Sequence, residues 1–253
     1  MKLDFYGIRA TEALIAFSLL SRLPVPHLSD QAFDNAARAV WAYGIVGGVL
    51  GGIATLMGWG LIQAGIPESI AAGMALAVLM MCSGAMHEDG LADTADGLWG
   101  GHDRTRRLAI MKDSHIGTYG VLSLVVVTGT RWIAYALLLP VNPLAIIAVA
   151  ALSRSMMPCL MAALPHARSS GLSHQVGRPS ALNAAVSVGI ASCIAALTSG
   201  ATAAVLIACA AATVVLVGAI SNRKIGGQTG DVLGAAQQLS EVTMLLVLTG
   251  LLI

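Results

Sequence analysis

Apolar residues occupy this chain in long uninterrupted runs, not at the three-and-four spacing of a soluble helix. Runs of 17 or more recur at about 37–62, 69–86, 118–139, 143–164, 181–199, 202–220 and 237–253, each near the roughly 20 residues that cross a bilayer core as a helix. The pattern predicts an all-α polytopic membrane protein, a bundle of about seven transmembrane helices in a single integral domain, 1–253. A shorter stretch, Ala10 to Leu20, precedes Arg22 and the turn Pro24-Val25-Pro26. It is too short to span and lacks a small-residue cleavage pattern, so it predicts an N-terminal interfacial or re-entrant helix. Composition agrees: the chain is 57% hydrophobic and 11% charged, against roughly 25% charged in a soluble domain. Low aromatic content with abundant Ala and Gly favours helices over the alternating short strands of a β-barrel.

Charge sharpens the topology. All of the 14 basic residues except Arg131 and Arg154 fall in the N-terminal segment (Lys2, Arg9, Arg22, Arg38) or in the connections 87–117, 165–180 and 221–236. The connections near 63–68, 140–142 and 200–201 have none. The positive-inside rule then places the N-terminus and the three long connections in the cytoplasm. Net charge is +1 with no basic run, which gives no nucleic-acid footprint. Four cysteines lie dispersed in apolar spans without CxxC spacing, so they read as packing residues. Gly44, Gly48 and Gly52, with Gly47 and Gly51 beside them, form small-residue rows that favour close helix packing within the bundle. A homo-oligomer through this glycine-rich first span is the less favoured use of them.

The densest chemistry is Met86 to Gly97, M-H-E-D-G-L-A-D-T-A-D-G. Asp89, Asp93 and Asp96 stand at i, i+4 and i+7, one turn apart on one helix face. Three carboxylates on a stripe repel one another unless a cation sits among them, and oxygen-only ligands suit Mg²⁺ shared with substrate phosphates. Asp89, Asp93 and Asp96 are therefore candidate metal ligands, with Glu88 a weaker one and His87 a candidate base, ligand or hydrogen-bonding partner. Plain solvation of a helix end is the competing reading. Downstream, Arg104, Arg106 and Arg107 fit either a headgroup-facing amphipathic helix or a phosphate site. Lys112-Asp113-Ser114-His115 follows at the mouth of a new span, where Asp113 could complete a metal site or position a proton acceptor. In 223–231, R-K-I-G-G-Q-T-G-D, Gly-rich backbone beside Lys224 can wrap phosphate oxygens, with Gln228 and Asp231 as polar contacts. Arg154, inside an apolar span, requires an anion or carbonyls, and a substrate phosphate or Asp113 would serve.

Four segments, H-E-D-G-L-A-D-T-A-D-G (His87–Gly97), K-D-S-H-I-G-T-Y-G (Lys112–Gly120), S-R-S (Ser153–Ser155) and G-G-Q-T-G-D-V-L-G-A (Gly226–Ala235), together with S-R-L-P-V-P (Ser21–Pro26), resemble the cobalamin synthase family, the adenosylcobinamide-GDP ribazoletransferases. The resemblance runs in order from about residue 12 to the C-terminus. It implies a multi-pass enzyme of the cell inner membrane, active site toward the cytoplasm, that joins adenosylcobinamide-GDP to α-ribazole or its 5′-phosphate. GMP leaves, adenosylcobalamin or its phosphate forms, and Mg²⁺ is required. Carried onto this chain, it implies Asp96, Asp113 and His87 as catalytic residues and Glu88, Asp89, Asp93 and Asp96 at the metal. Arg104, Lys112, Arg154, Lys224, Gln228 and Asp231 would bind substrate. Asp93-x-x-Asp96-Gly97 also echoes half of the CDP-alcohol phosphotransferase signature, without its remaining acidic repeat. The alternative is a cation or proton transporter that uses the acidic cluster as its pathway, and it should carry charges at the middle of several spans.

Overall fold

The computed structural model describes residues 9–252, and Lys2 of the basic N-terminal segment lies outside them. Twelve α-helices follow in these residues. The first, α1 (Ala10–Leu20), is about 16 Å long at 1.5 Å per residue, too short to cross a bilayer core. It packs on a kinked 3₁₀ segment, Asp30–Ala42, through Glu12, which pairs with Arg38 Nε at 3.1 Å and accepts from the Trp41 indole at 2.9 Å. The expected short entry helix is thus present, tied to the start of the first span.

That span, α2 (Tyr43–Gln63), lies against α7 (Leu144–Ser155). A Cβ at Gly47 would collide with the Ala150 carbonyl, and one at Gly51 would stand 2.7 Å from the Ala150 Cβ. The glycine row is therefore spent inside the chain, as small-residue packing predicts. Next come α3 (Glu68–Ser83) and α4 (Met86–Gly100), joined by a corner of 86°. The turn is local chemistry: Gly84 (φ +67°) and Ala85 (φ +53°) are both left-handed, and the Ala85 amide closes on Met80 O at 2.8 Å. After α5 (Arg104–Ile110) and α6 (Thr118–Leu138), α7 breaks at Met156 into α8 (Met157–Ala163), whose second residue is Pro158. The short α9 (Leu172–Val176) precedes α10 (Ala181–Ser199), α11 (Ala203–Ile225) and α12 (Gly230–Leu252).

By length and hydropathy five apolar segments can cross a membrane, or six with the bent α3–α4 pair as one span, against about seven expected. Two causes separate the counts. The run 69–86 ends in the α3–α4 corner, so α3 is 16 residues long and the acidic helix leaves it sideways. The stretch Ala181–Ile225 passes as one 45-residue segment, yet as a straight helix it would be about 67 Å long. Its two ends are close: Arg178 donates to Ala162 O, and Arg104 bridges Ile225 O and Ala167 O. The chain therefore folds back at Ser199–Thr202, and α10 and α11 are antiparallel crossings. These contacts also bring the connections 87–117, 165–180 and 221–236 together at one end of the bundle. The most enclosed apolar segment is Leu144–Ala163, with α2, α10, α11 and α12 packed about α7.

Candidate active site

Helix α4 presents its acidic face because two glycines let it press on α12. A Cβ at Gly90 would stand 2.8 Å from Asp231 O, and one at Gly234 would stand 3.2 Å from the His87 Cα. This contact carries Asp231, in the first turn of α12, to the acidic stripe. Asp93 then has Asp89, Asp231 and Asp96 as repelling neighbours and Arg168 as counter-charge. Arg168 Nη2 donates to Asp231 Oδ2 at 2.8 Å, while its Nη1 is buried with no partner. Thr229 caps α12, accepting from Val232 N at 3.3 Å and donating to Asp231 at 3.2 Å. Gln228, fully buried, accepts from Ser173 Oγ at 2.7 Å and meets His166 Nδ1 at 3.0 Å, so it positions the 165–176 segment that carries Arg168. Burial lowers the His166 pKa, and His174 and Arg178 add to the shift.

Several candidates are placed elsewhere, each for an identifiable reason. Asp96 is buried, and its two oxygens accept the Gly117 and Gly120 amides at 2.7 and 2.9 Å. It serves as an anion at the N-terminus of α6, where unpaired N–H groups and the helix dipole favour a carboxylate. Glu88 points into the bundle and accepts from Arg131 Nη1 at 2.9 Å and Gln238 Nε2 at 3.0 Å. Arg131 also donates twice to Glu241 Oε1, at 3.0 and 2.7 Å. Arg154 pairs with Glu241 and not with Asp113: it faces Glu241 Oε2 at 3.6 Å and donates to Ala150 O at 3.2 Å. The charges buried within the bundle, Glu88, Arg131, Arg154 and Glu241, are thereby paired with one another.

The basic candidates bind carbonyls. Arg104 donates to Ile225 O at 2.8 Å and Ala167 O at 2.6 Å. Lys224 donates to Leu98 O at 2.7 Å with its ammonium 4.3 Å from the Trp99 ring centroid. Both satisfy the last turns of helices, where a cation also complements the dipole. Lys112 is exposed. Asp113 is exposed as well, and its Oδ1 meets His115 Nδ1 at 2.7 Å. That hydrogen bond lowers the Asp113 pKa and raises that of His115. Sequence reasoning missed Arg168, Glu241, Gln237 and Gln238. The last three were visible as polar residues inside an apolar span, which by default mark a site or a network.

Beside the acidic face a cleft of about 130 Å³ opens, with His87, Asp89, Arg168 and Asp231 among its lining residues. His87 is 1% exposed, and neither ring nitrogen has a partner. Among the described residues no three His, Cys, Asp or Glu side chains group closely enough to hold a metal by themselves. With Asp96 and Glu88 engaged elsewhere, the oxygens left to receive a hard cation are those of Asp89, Asp93 and Asp231. Carboxylates set this far apart suit Mg²⁺ only where substrate phosphates and water supply most of its ligands.

A family model described as Cobalamin-5-phosphate synthase matches residues 12–249. The chain is 40% identical over 239 residues to the adenosylcobinamide-GDP ribazoletransferase of Bradyrhizobium diazoefficiens, covering 92% of this chain and 91% of that protein. The enzyme of the same name from Sinorhizobium sp. is 38% identical over 255 residues, 96% of this chain and 97% of its own. That from Azorhizobium caulinodans is 40% identical over 245 residues, 91% and 92% of the two chains. No solved structure matches. Matched over nearly its whole length by the family model, with the acidic helix and the G-G-Q-T-G-D turn brought together at one bundle end, the chain belongs to the cobalamin-5-phosphate synthase family.

Proposed function

We propose that this chain joins adenosylcobinamide-GDP to α-ribazole or α-ribazole 5′-phosphate, releasing GMP and forming adenosylcobalamin or its 5′-phosphate. The observation that carries the reading is the gathering of Asp89 and Asp93 on α4 with the Asp231–Arg168 pair, beside a cleft that Asp89, Arg168 and Asp231 line. In the reaction a ribazole hydroxyl oxygen bonds to the cobinamide-linked phosphorus, the P–O bond to GMP breaks, and the hydroxyl proton is released. Asp89, Asp93 and Asp231 would hold Mg²⁺, which would supply neutralisation of charge on the departing phosphate. Arg168 holds the donor: its unpartnered Nη1 is positioned to give a charge-assisted hydrogen bond to a phosphate oxygen while Nη2 keeps Asp231 in place. Gln228 and Ser173 fix the segment from which Arg168 reaches in. The gathered basic connections face the cytoplasm of a cell with the active site on that side, in keeping with the positive-inside rule.

Turnover of the purified protein in lipid, followed by GMP release against Mg²⁺ concentration, tests this. Asp93→Asn should lose activity at all Mg²⁺ concentrations. Arg168→Ala should raise KM for adenosylcobinamide-GDP by about tenfold or more, given roughly 1.5–3 kcal/mol for a hydrogen bond to a charged group. Near wild-type turnover of Asp93→Asn at saturating Mg²⁺ would remove the acidic face from the mechanism.

A further inference from the structure

The inner part of the cleft differs from its rim. Among its lining residues Asp89 is exposed and Arg168 and Asp231 are half-buried, whereas Leu20, Tyr43, Met157 and Met161 are buried apolar or aromatic walls. All four are 5% exposed or less. The buried His87 lines the same cleft, with no protein partner at either imidazole nitrogen. A buried imidazole left without hydrogen bonds costs free energy, so its partner is supplied by what enters the cleft.

Three substrate parts compete for that position. The corrin macrocycle is far larger than about 130 Å³. A diphosphate would have to pass two carboxylates into an apolar chamber, which desolvation opposes. Guanine is of suitable size, but its edge is covered by donors and acceptors, and the buried hydrogen-bonding side chains of the lining, His87, Tyr43 and a Ser173 whose hydroxyl proton is already given to Gln228, would strand most of them. A benzimidazole nucleoside has a flat apolar bicycle and one free ring nitrogen, an acceptor. A neutral imidazole carries one N–H and one acceptor nitrogen, so one bond reaches the base and the other takes a sugar hydroxyl.

Resting on the transferase reading, we infer that this chamber is the subsite for the base of the nucleoside acceptor, with His87 selecting a fused aromatic ring that has a single acceptor nitrogen. Seated there, the nucleoside points its ribose outward to the rim where Asp89 and Asp231 lie. The order of polarity along the cleft thus separates a neutral acceptor inside from an anionic donor at the mouth.

The test uses the full chain in lipid nanodiscs and measures equilibrium binding of labelled α-ribazole, without donor or metal, alongside binding of adenosylcobinamide-GDP. Met161→Trp, which fills the chamber, should weaken α-ribazole binding at least tenfold and change donor binding less than about twofold. The retained donor binding also reports that the variant is folded. Wild type should prefer α-ribazole about tenfold over the analogue whose free ring nitrogen is replaced by CH, and His87→Ala should lose that preference. Weakened donor binding with unaltered α-ribazole binding in Met161→Trp would assign the chamber to the guanine and overturn the inference. So would an unchanged preference in His87→Ala. Absence of wild-type turnover with these binding results intact would instead remove the transferase reading and leave the base subsite standing.

Discussion

Asp93 and Asp96 stand three residues apart in one motif, and the structure gives them opposite duties that a single substitution separates. In Asp96→Asn one amide oxygen can still accept a backbone N–H, but the other position becomes an NH₂ facing the second donor. The variant therefore loses one charge-assisted hydrogen bond, among contacts of 2.7 and 2.9 Å, and leaves a buried N–H unpaired at about 1–3 kcal/mol. It also loses an anion at a helix N-terminus, worth about 0.3–2 kcal/mol. Because these terms overlap, the expected destabilisation is about 2–4 kcal/mol, roughly a 30- to 700-fold fall in the folded-to-unfolded ratio. There is no room for a longer acid to compensate, since a Cβ at Gly117 would stand 2.5 Å from Asp96 Oδ1. Thermal unfolding in detergent, read by size exclusion, should show Asp96→Asn melting well below wild type and Asp93→Asn melting with it. The Asp96→Asn protein that remains folded should keep the wild-type dependence of GMP release on Mg²⁺. A wild-type melting temperature with a shifted Mg²⁺ dependence would refute the assignment and return Asp96 to the metal.

Removing Arg131 should cost about 3–5 kcal/mol, because Glu88 and Glu241 would stay buried without their common donor. The double variant Arg131→Leu with Glu88→Leu keeps the Arg154–Glu241 pair and should recover part of that loss in the same melting assay. A single Arg131→Leu variant as stable as wild type would show the network to be idle. In the exposed 112–116 segment, histidine NMR should find His115 titrating above its ordinary value of 6.5, falling back in Asp113→Asn. The sign follows from both shifts. The raised His115 contribution is full below 6.5 and fades as pH rises through its folded pKa, while the lowered Asp113 contribution is full above 3.8 and fades as pH falls. Protection of the segment should therefore peak between them, and a flat profile would contradict the pairing.

The parts of this molecule legible from sequence are those that depend on neighbours along the chain. Apolar runs gave the spans, and the i, i+4, i+7 spacing gave the acidic face on which Asp89 and Asp93 lie. What stayed hidden depends on partners far away. Glu88 and Arg131 are 43 residues apart, and Arg131 and Glu241 are 110 apart, so a motif reading assigned Glu88 to the metal with its neighbour. The basic residues failed similarly. Arg104 and Lys224 look like phosphate ligands in a list of charges, but helix C-terminal carbonyls compete for the same donors, and only the crossing of α5, α11 and α4 shows which acceptor is near. Arg168 was passed over because its segment has little regular structure of its own; Gln228, 60 residues on, holds it.

The buried charges also explain how α4 presents its face. Consecutive residues of a helix point about 100° apart, so fixing one side chain fixes the directions of its neighbours. With Glu88 held in the bundle by Arg131 and Gln238, His87 must turn toward α12 and the inner cleft, and Asp89 toward the rim. A hydrophobic residue at 88 would pack, but it would leave the rotation of α4 about its axis set only by nonspecific contacts and by the Gly90 approach to α12. Four buried charges are costly beside an apolar alternative. Their return here is registry: a helix that must present a carboxylate and an imidazole to one cleft is locked at the residue between them.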